Sequence, residues 1–228
     1  MKIDTVMAQL QKQANQANLA GMARVGINTQ DSLGISVYDL RRMAKEMGID
    51  HELAEQLWAS GIHEAQLLAV FVADPRQVTP QLMESWAADF DSWDLCDQAC
   101  TSLFDLTPHA HAKALEWSQR EDEFVRRAGF AIMAGLAVHD KEAGDEQFEP
   151  FFVAILGAAG DGRNYVKKAV NWALRNIGKR NRRLNARAVQ VAAQVAEQGS
   201  PSARWIAADA RRELTAEKVQ KRLQDEVK

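Results

Sequence analysis

The sequence predicts an all-α protein, a solenoid of antiparallel helix pairs curved around a concave basic groove, and three observations predict it. Apolar residues recur at three-and-four spacing almost throughout, and nowhere does a run of β-branched residues alternate as in a half-buried strand. Capping hydroxyls, prolines and short connections cut the chain into brief segments, the pattern of antiparallel helix neighbours. Finally, an aromatic-Val-basic-basic-Ala pattern occurs at Phe124–Ala128 and returns at Tyr165–Ala169, 41 residues on, with a weaker copy at Ala203–Ala207 after a further 38. A period near 40 with two helices per unit is that of a HEAT-like array, in which each unit buries its apolar side only by stacking on its neighbours. The same repeat position then lines one face, so the basic pairs at 126–127 and 167–168 are expected near each other. The whole chain, 1–228, is expected to form one such domain.

Taken in order, helices are expected over 3–19, 36–47, 51–60, 62–73, 80–90, 92–105, 108–119, 121–138, 145–158, 163–179, 184–198, 201–213 and 215–226. Thr79-Pro80, Thr107-Pro108 and Ser200-Pro201 each place a hydroxyl before a proline, the N-cap and first-turn signature of a helix start. Asp74-Pro75 reads as a stop and Glu149-Pro150 as a local boundary. The first segment is rich in Gln and Asn, without the basic start and apolar core of a signal peptide. No apolar run approaches the ~20 residues of a membrane helix. A cytoplasmic protein is expected.

Several chemistries are excluded. Phosphate-loop, dinucleotide and nucleophile-elbow motifs do not occur, which argues against an NTPase, a dinucleotide enzyme or an α/β-hydrolase. Cys96 and Cys100 lie four apart with no second pair to complete a zinc site, so they read as small buried thiols in a reducing compartment. His63-Glu64 opens no zinc-helix motif, because Leu67 holds the second His position, and reads as a helix-surface pair. The acids Glu142, Asp145, Glu146 and Glu149 read as a solvated linker face. No metal site is expected.

Charge is the most uneven feature. Residues 163–187 hold nine Lys or Arg and no acid, in a chain whose net charge is −3. Val166, Ala169, Val170, Ala173, Leu174 and Ile177 form one apolar stripe there, while Lys168, Trp172 and Arg175 share another face. A cationic face with a Trp at its middle suits a polyanion that offers flat or sugar surfaces, as nucleic acid does. A solvated basic face with a half-buried Trp accounts for the same residues. Asp91 to Asp97 is the other informative stretch. Asp91 is expected as an N-cap with Asp94 at the third helical position, a carboxylate version of the capping box. Asp97 lies a full turn inside the helix and projects with Trp93, four residues earlier. A carboxylate beside an aromatic is a candidate reaction centre; a core Trp with an ion-paired Asp fits the spacing as well.

With these residues in hand, the chain resembles the AlkD-like DNA alkylation repair family, bacterial alkylpurine DNA glycosylases built from HEAT-like repeats. Gly34-Ile35-Ser36-Val37-Tyr38-Asp39-Leu40-Arg41 is similar to the family's G-I-x-x-P-x-x-R helix start, with Tyr38 where the pattern has Pro. Trp93-Asp94-Leu95-Cys96-Asp97 fits its W-D-x-x-D, Phe124–Ala128 its basic repeat helix, and Trp172-Ala173-Leu174-Arg175 its W-x-L-R. Val25 stands where a member of the family carries an aromatic in the N-terminal helix. The resemblance implies Asp97 as catalytic carboxylate, Trp93 and Trp172 flanking the lesion, and Arg127 on a phosphate. It implies DNA contacts from Arg126, Lys167, Lys168, Arg175, Lys179 and Arg180. The activity it implies is hydrolysis of the N-glycosidic bond of cationic N3- or N7-alkylated purines in duplex DNA. A monomer without metal or organic cofactor is expected, acting away from membranes and lodged on the nucleoid when bound. The alternative is a non-catalytic HEAT-like module that binds a DNA structure or a protein.

Overall fold

The computed structural model describes residues 2–225, and among these no strand occurs. The helices are α1 (Ile3–Gln13), α2 (Gln16–Arg24), α3 (Val37–Met47), α4 (His51–Trp58), α5 (His63–Val72), α6 (Pro80–Ala88), α7 (Trp93–Ser102), α8 (Ala110–Trp117), α9 (Glu123–His139), α10 (Glu149–Ala158), α11 (Asn164–Gly178), α12 (Arg182–Glu197), α13 (Pro201–Leu214) and α14 (Glu217–Asp225). Single 3-10 turns cover Phe104–Leu106 and Asp145–Phe148.

The all-α expectation holds, and the differences lie at helix ends. The expected helix 3–19 is two helices. Asn15 leaves the first and caps the second, its side chain accepting from the Ala17 N–H at 3.1 Å. Short polar side chains compete with the helix backbone in this way. Thr79 and Ser200 cap as expected, on Leu82 N and Ala203 N. Thr107 does not: its hydroxyl turns back to the Phe104 carbonyl at 2.8 Å, and α8 starts only at Ala110. The segment expected as helix from 145 begins as a 3-10 turn, and α10 starts at Glu149 with proline in its first turn. The expected end at 226 lies outside the described residues.

The chain divides into two compact units, Met1–Pro108 and His109–Lys228. In the first, α5 is buried along almost its whole length and packs against α3, α4 and α7. Trp58 stacks on Trp86 with centroids 4.1 Å apart and planes 3° from parallel, and donates its indole N–H to Asp89 at 2.7 Å. Placing the N–H on a carboxylate lets the large ring be buried without stranding its donor.

In the second unit, α9, α11 and α13 pack side by side, and α8, α10 and α12 form the other layer. The 40-residue period is physical here. The Phe124 and Tyr165 rings, equivalent in the repeat, pack at 5.3 Å. Polar links tie Asn171 to Asp209 and Asn176 to the Ala134 carbonyl, 38 and 42 residues apart. Gly129 sits where a Cβ would fall 2.4 Å from the Ser118 nitrogen, so α8 and α9 approach at backbone distance. In the first unit the corresponding polar links span 31 residues, as in Trp58–Asp89 and His63–Asp94.

Candidate functional site

In the first unit the candidate site is built on α7. Its N-cap is Ser92, not Asp91, and Asp94 takes the second helical position rather than the third. The capping box expected from sequence is therefore absent. Asp91 instead accepts from the Asn28 amide at 2.5 Å and the Ser92 hydroxyl at 3.1 Å. Asp94 points inward and meets His63 Nε2 at 2.9 Å. Burial pushes the Asp94 carboxyl up, but the His63 hydrogen bond and charge outweigh it and hold the group below its ordinary value. Burial likewise works against a charged His63, and Asp94 more than offsets it, so the imidazole titrates above its ordinary value.

The His63-Glu64 pair is buried rather than on the surface. Glu64, fully enclosed, accepts the backbone N–H groups of Leu33 and Gly34, each at 2.7 Å. It anchors the connection between α2 and α3 from a helix that follows both.

Trp93 and Asp97 are half-buried and share a face of α7, as their spacing requires. The Trp93 indole N–H donates to the Val25 carbonyl at 3.0 Å, which fixes the ring's orientation. Val25, where a family member carries an aromatic, thus acts through its backbone while its side chain stays exposed. Arg41, the last residue of the G-I-x-x-P-x-x-R match, makes contacts to which the sequence assigns no role. Its guanidinium lies 4.5 Å over the Phe71 ring and donates to Gln98 at 2.7 Å and Ser102 at 3.0 Å. An exposed cation is thereby laid along the helix that carries Asp97. Its partners are 57 and 61 residues away, so the local motif does not reveal them. Cys96 and Cys100 are buried thiols on α7, and burial pushes the Cys100 thiol well up. Among the described residues no group of three His, Cys, Asp or Glu could hold a metal ion.

In the second unit, the apolar stripe of α11 is buried as expected, from Val166 through Ile177. Lys168 is exposed and makes no ion pair with a described residue. Trp172 and Arg175, on the same face, are half-buried. The other cations are engaged. Arg175 pairs with Glu213 and lies 3.7 Å from Asp209; Lys179 reaches Glu213 at 2.6 Å. Burial raises the Glu213 carboxyl, and Lys179 and Arg175 bring it net below its ordinary value. Arg126 donates to the Ser118 carbonyl at 3.0 Å and to Asp161 at 3.3 Å. Arg127 is only 6% exposed and donates to the Tyr165 carbonyl at 2.7 Å. Lys167 lies 5.0 Å over the Trp205 ring. Arg180 donates to the carbonyls of Ala137 and Ala143 and stacks 4.8 Å over Phe148. The acidic linker is less solvated than expected: Asp145 accepts from Asn181 and Glu149 from Arg187. Among the described residues no helix is long and apolar enough to cross a membrane.

The sequence model of a family described as DNA alkylation repair enzyme matches residues 6–214. Among curated proteins none matches the sequence significantly. One solved structure is described as a new family of proteins related to the HEAT-like repeat DNA glycosylases with affinity for branched DNA structures. It aligns with TM-score 0.75 and 21% identity over 85% of this chain and 83% of that one, which shows the HEAT-like repeat fold. A designed armadillo repeat protein in complex with a Lys-Arg peptide aligns over 95% of both chains with TM-score 0.35 and 13% identity.

Proposed function

This chain belongs to the DNA alkylation repair enzyme family, and from that premise we propose that it binds DNA and hydrolyses the N-glycosidic bond of cationic N3- or N7-alkylated purines. The observation that carries the proposal is the pairing on α7 of a half-buried Asp97 with a Trp93 whose ring is fixed by the Val25 carbonyl. Two aspartates three residues apart have separate roles: Asp94 is committed to His63, and Asp97 stands beside the aromatic.

Alkylation at N3 or N7 leaves the purine positively charged, so it departs with the bonding electron pair as a neutral base and needs no acid. Positive charge passes to the sugar, giving an oxocarbenium-like state of the kind carboxylates stabilise in glycosidases. Asp97 supplies that negative charge and accepts the proton of the water that attacks the sugar carbon. Trp93 packs on the deoxyribose and excludes solvent, which strengthens the field of the carboxylate. Arg127, Arg126, Lys167, Lys168, Arg175, Lys179 and Arg180 serve the DNA backbone, some as direct phosphate contacts and some by positioning the helices that carry them. Such contacts set register without reading sequence.

The test is base release from duplex DNA bearing 7-methylguanine or 3-methyladenine, with wild type and Asp97→Asn side by side. Wild type releases base; Asp97→Asn binds the duplex and loses about 10²–10³-fold in rate, the scale for removing one preorganised electrostatic group. Unchanged release by Asp97→Asn sinks the assignment.

A second reading, DNA binding without excision, is favoured by the acids that neutralise Arg175, Lys179 and Arg126. The affinity for branched DNA described for the structural neighbour points the same way. Preference for a four-way junction over linear duplex, with no base released by wild type, is the result that would select it.

A further inference from the structure

In the second unit the ends of α9 and α11 meet α14 around a cavity of about 560 Å³. Lys141 lines it from the turn after α9, Lys179 and Arg180 from the end of α11, and Arg222 from α14. Against these four cations the lining sets one acid, Asp145, in a chain whose net charge is −3. Asp145 is already committed: it accepts from the Asn181 amide at 2.6 Å and lies 3.8 Å from Arg183. Asp140, whose charge also reaches Arg180, is taken up by His111 at 3.1 Å and by the Ala143 N–H at 3.0 Å. Glu213 holds Lys179 but shares itself with Arg175.

Positive charge is held here without being fully cancelled. Arg180 donates to the Ala137 carbonyl at 3.2 Å and the Ala143 carbonyl at 2.9 Å, stacks on Phe148, and makes no ion pair with a described residue. Its guanidinium plane is thereby set before any ligand arrives. Arg222 donates to the Lys179 carbonyl, which ties α14 to the end of α11. Lys141 is exposed and makes no ion pair with a described residue. Asn181, also in the lining, caps α12, so the positive end of that helix dipole adds to the field.

Like charges gathered round a hollow repel one another, and an anion among them relieves the repulsion. The volume lies within the ~300–1,000 Å³ of small-ligand sites, more room than one phosphate takes. Guanidinium forks suit phosphate oxygens in pairs, and ammonium groups serve beside them as point charges. We propose that this cavity binds a run of two or three linked phosphates. They are either consecutive links of a DNA strand or a free oligophosphate. Lys179 lies seven residues beyond Trp172 on one face of α11, about 10 Å along the axis. A strand laid over Lys168 and Trp172 thus reaches the cavity within about three nucleotides. The final helix then supplies a ligand group as well as closing the array.

Two arms separate the sources. Calorimetric titration with pyrophosphate and tripolyphosphate reads the free anion. Anisotropy of a labelled, undamaged duplex across a range of salt reads DNA. The variants are Lys141→Gln alone and Lys141→Gln combined with Arg222→Gln; where the pair fails to fold by circular dichroism, Lys141→Gln decides alone. Lys218→Gln, an exposed cation of α14 outside the lining, is the control. The expected result is saturable oligophosphate binding by wild type, weakened at least about tenfold in the double variant, the scale of one hydrogen bond to a charged group. The slope of log affinity for DNA against log salt becomes shallower by about 0.9 for each cation removed. Loss in both arms marks a strand site that the free anion mimics. Loss of oligophosphate binding with the DNA slope intact marks a free-anion site, and a shallower slope without oligophosphate binding marks a site for DNA alone; each upholds the cavity. No saturable binding at millimolar oligophosphate with an unchanged slope overturns it. So does binding that the variants leave untouched in both arms, or a loss that Lys218→Gln matches. Neither arm needs a lesion or a released base. Failure of excision therefore sinks the glycosylase reading alone, and excision with both arms silent sinks the cavity alone.

Discussion

Glu213 holds two cations of the basic segment, so Glu213→Gln is expected to tighten DNA binding and steepen its salt dependence. Lys179 reaches one carboxylate oxygen at 2.6 Å and Arg175 the other. Each phosphate that a released cation then neutralises adds about 0.9 to the slope of log affinity against log salt. Lys179 pairs with no second acid among the described residues, whereas Arg175 keeps Asp209 at 3.7 Å. The slope therefore steepens by about 0.9 if Lys179 alone is released and by about 1.8 if both are. Between 50 and 200 mM salt this corresponds to an extra loss of about 3.5-fold to about 12-fold in affinity. Fluorescence anisotropy of a labelled duplex across that range measures it. Glu217→Gln, which releases only Lys221 on an exposed face, is the control and leaves the slope in place. An unchanged slope and affinity in Glu213→Gln would refute the idea that Arg175 and Lys179 are DNA contacts held in reserve by an acid.

Three further outcomes follow from the geometry. His63 titrates above its ordinary 6.5, so its pair with Asp94 contributes fully below pH 6.5 and fades as pH rises through the raised value. The thermal-stability gap between wild type and His63→Gln should shrink over that interval, and a gap independent of pH up to 9 would contradict the charged pair. Gly129→Ala puts a methyl 2.4 Å from the Ser118 nitrogen and 2.8 Å from the Ala114 carbonyl; urea unfolding should show a loss of about 1–3 kcal/mol, the usual scale of overpacking, while Gly157→Ala, with open space around it, should show none. Arg41→Ala removes a cation laid along α7 and should weaken duplex binding severalfold with little effect on urea unfolding, exposed groups contributing little to stability.

How much of this was legible depends on distance along the chain. Trp93 and Asp97 share a face because helix periodicity is local, and four residues suffice to predict it. The buried stripe of α11 was readable for the same reason. Asp91 and Asp94 were misassigned because a cap is decided by backbone angles at one residue, and Ser92 adopts them. The local pattern at His63 and Glu64 predicts surface groups, and their burial escapes it because their partners lie 31 and 30 residues away, at Asp94 and Gly34. The period was invisible in the first unit because its links span 31 residues rather than about 40, and no aromatic-basic pattern marks them.

The charge cancellation, by contrast, is encoded in the repeat offset. The weak third copy of the repeat lies 38 residues after the second. Taken as a register, that offset places Lys167 against Trp205, Asn171 against Asp209 and Arg175 against Glu213, and all three contacts are present. A basic segment in a repeat array is therefore only as basic as the residues one period later allow. Here α13 presents carboxylates to the polar and cationic groups of α11, so any polyanion would have to compete with them. Lys168, with no pair among the described residues, is then a contact open to a polyanion at once, while Arg175 and Lys179 require that an acid be displaced first. Affinity for DNA would be built from few immediate charges and several conditional ones, which disfavours loose binding to any duplex and rewards a substrate that engages the whole face.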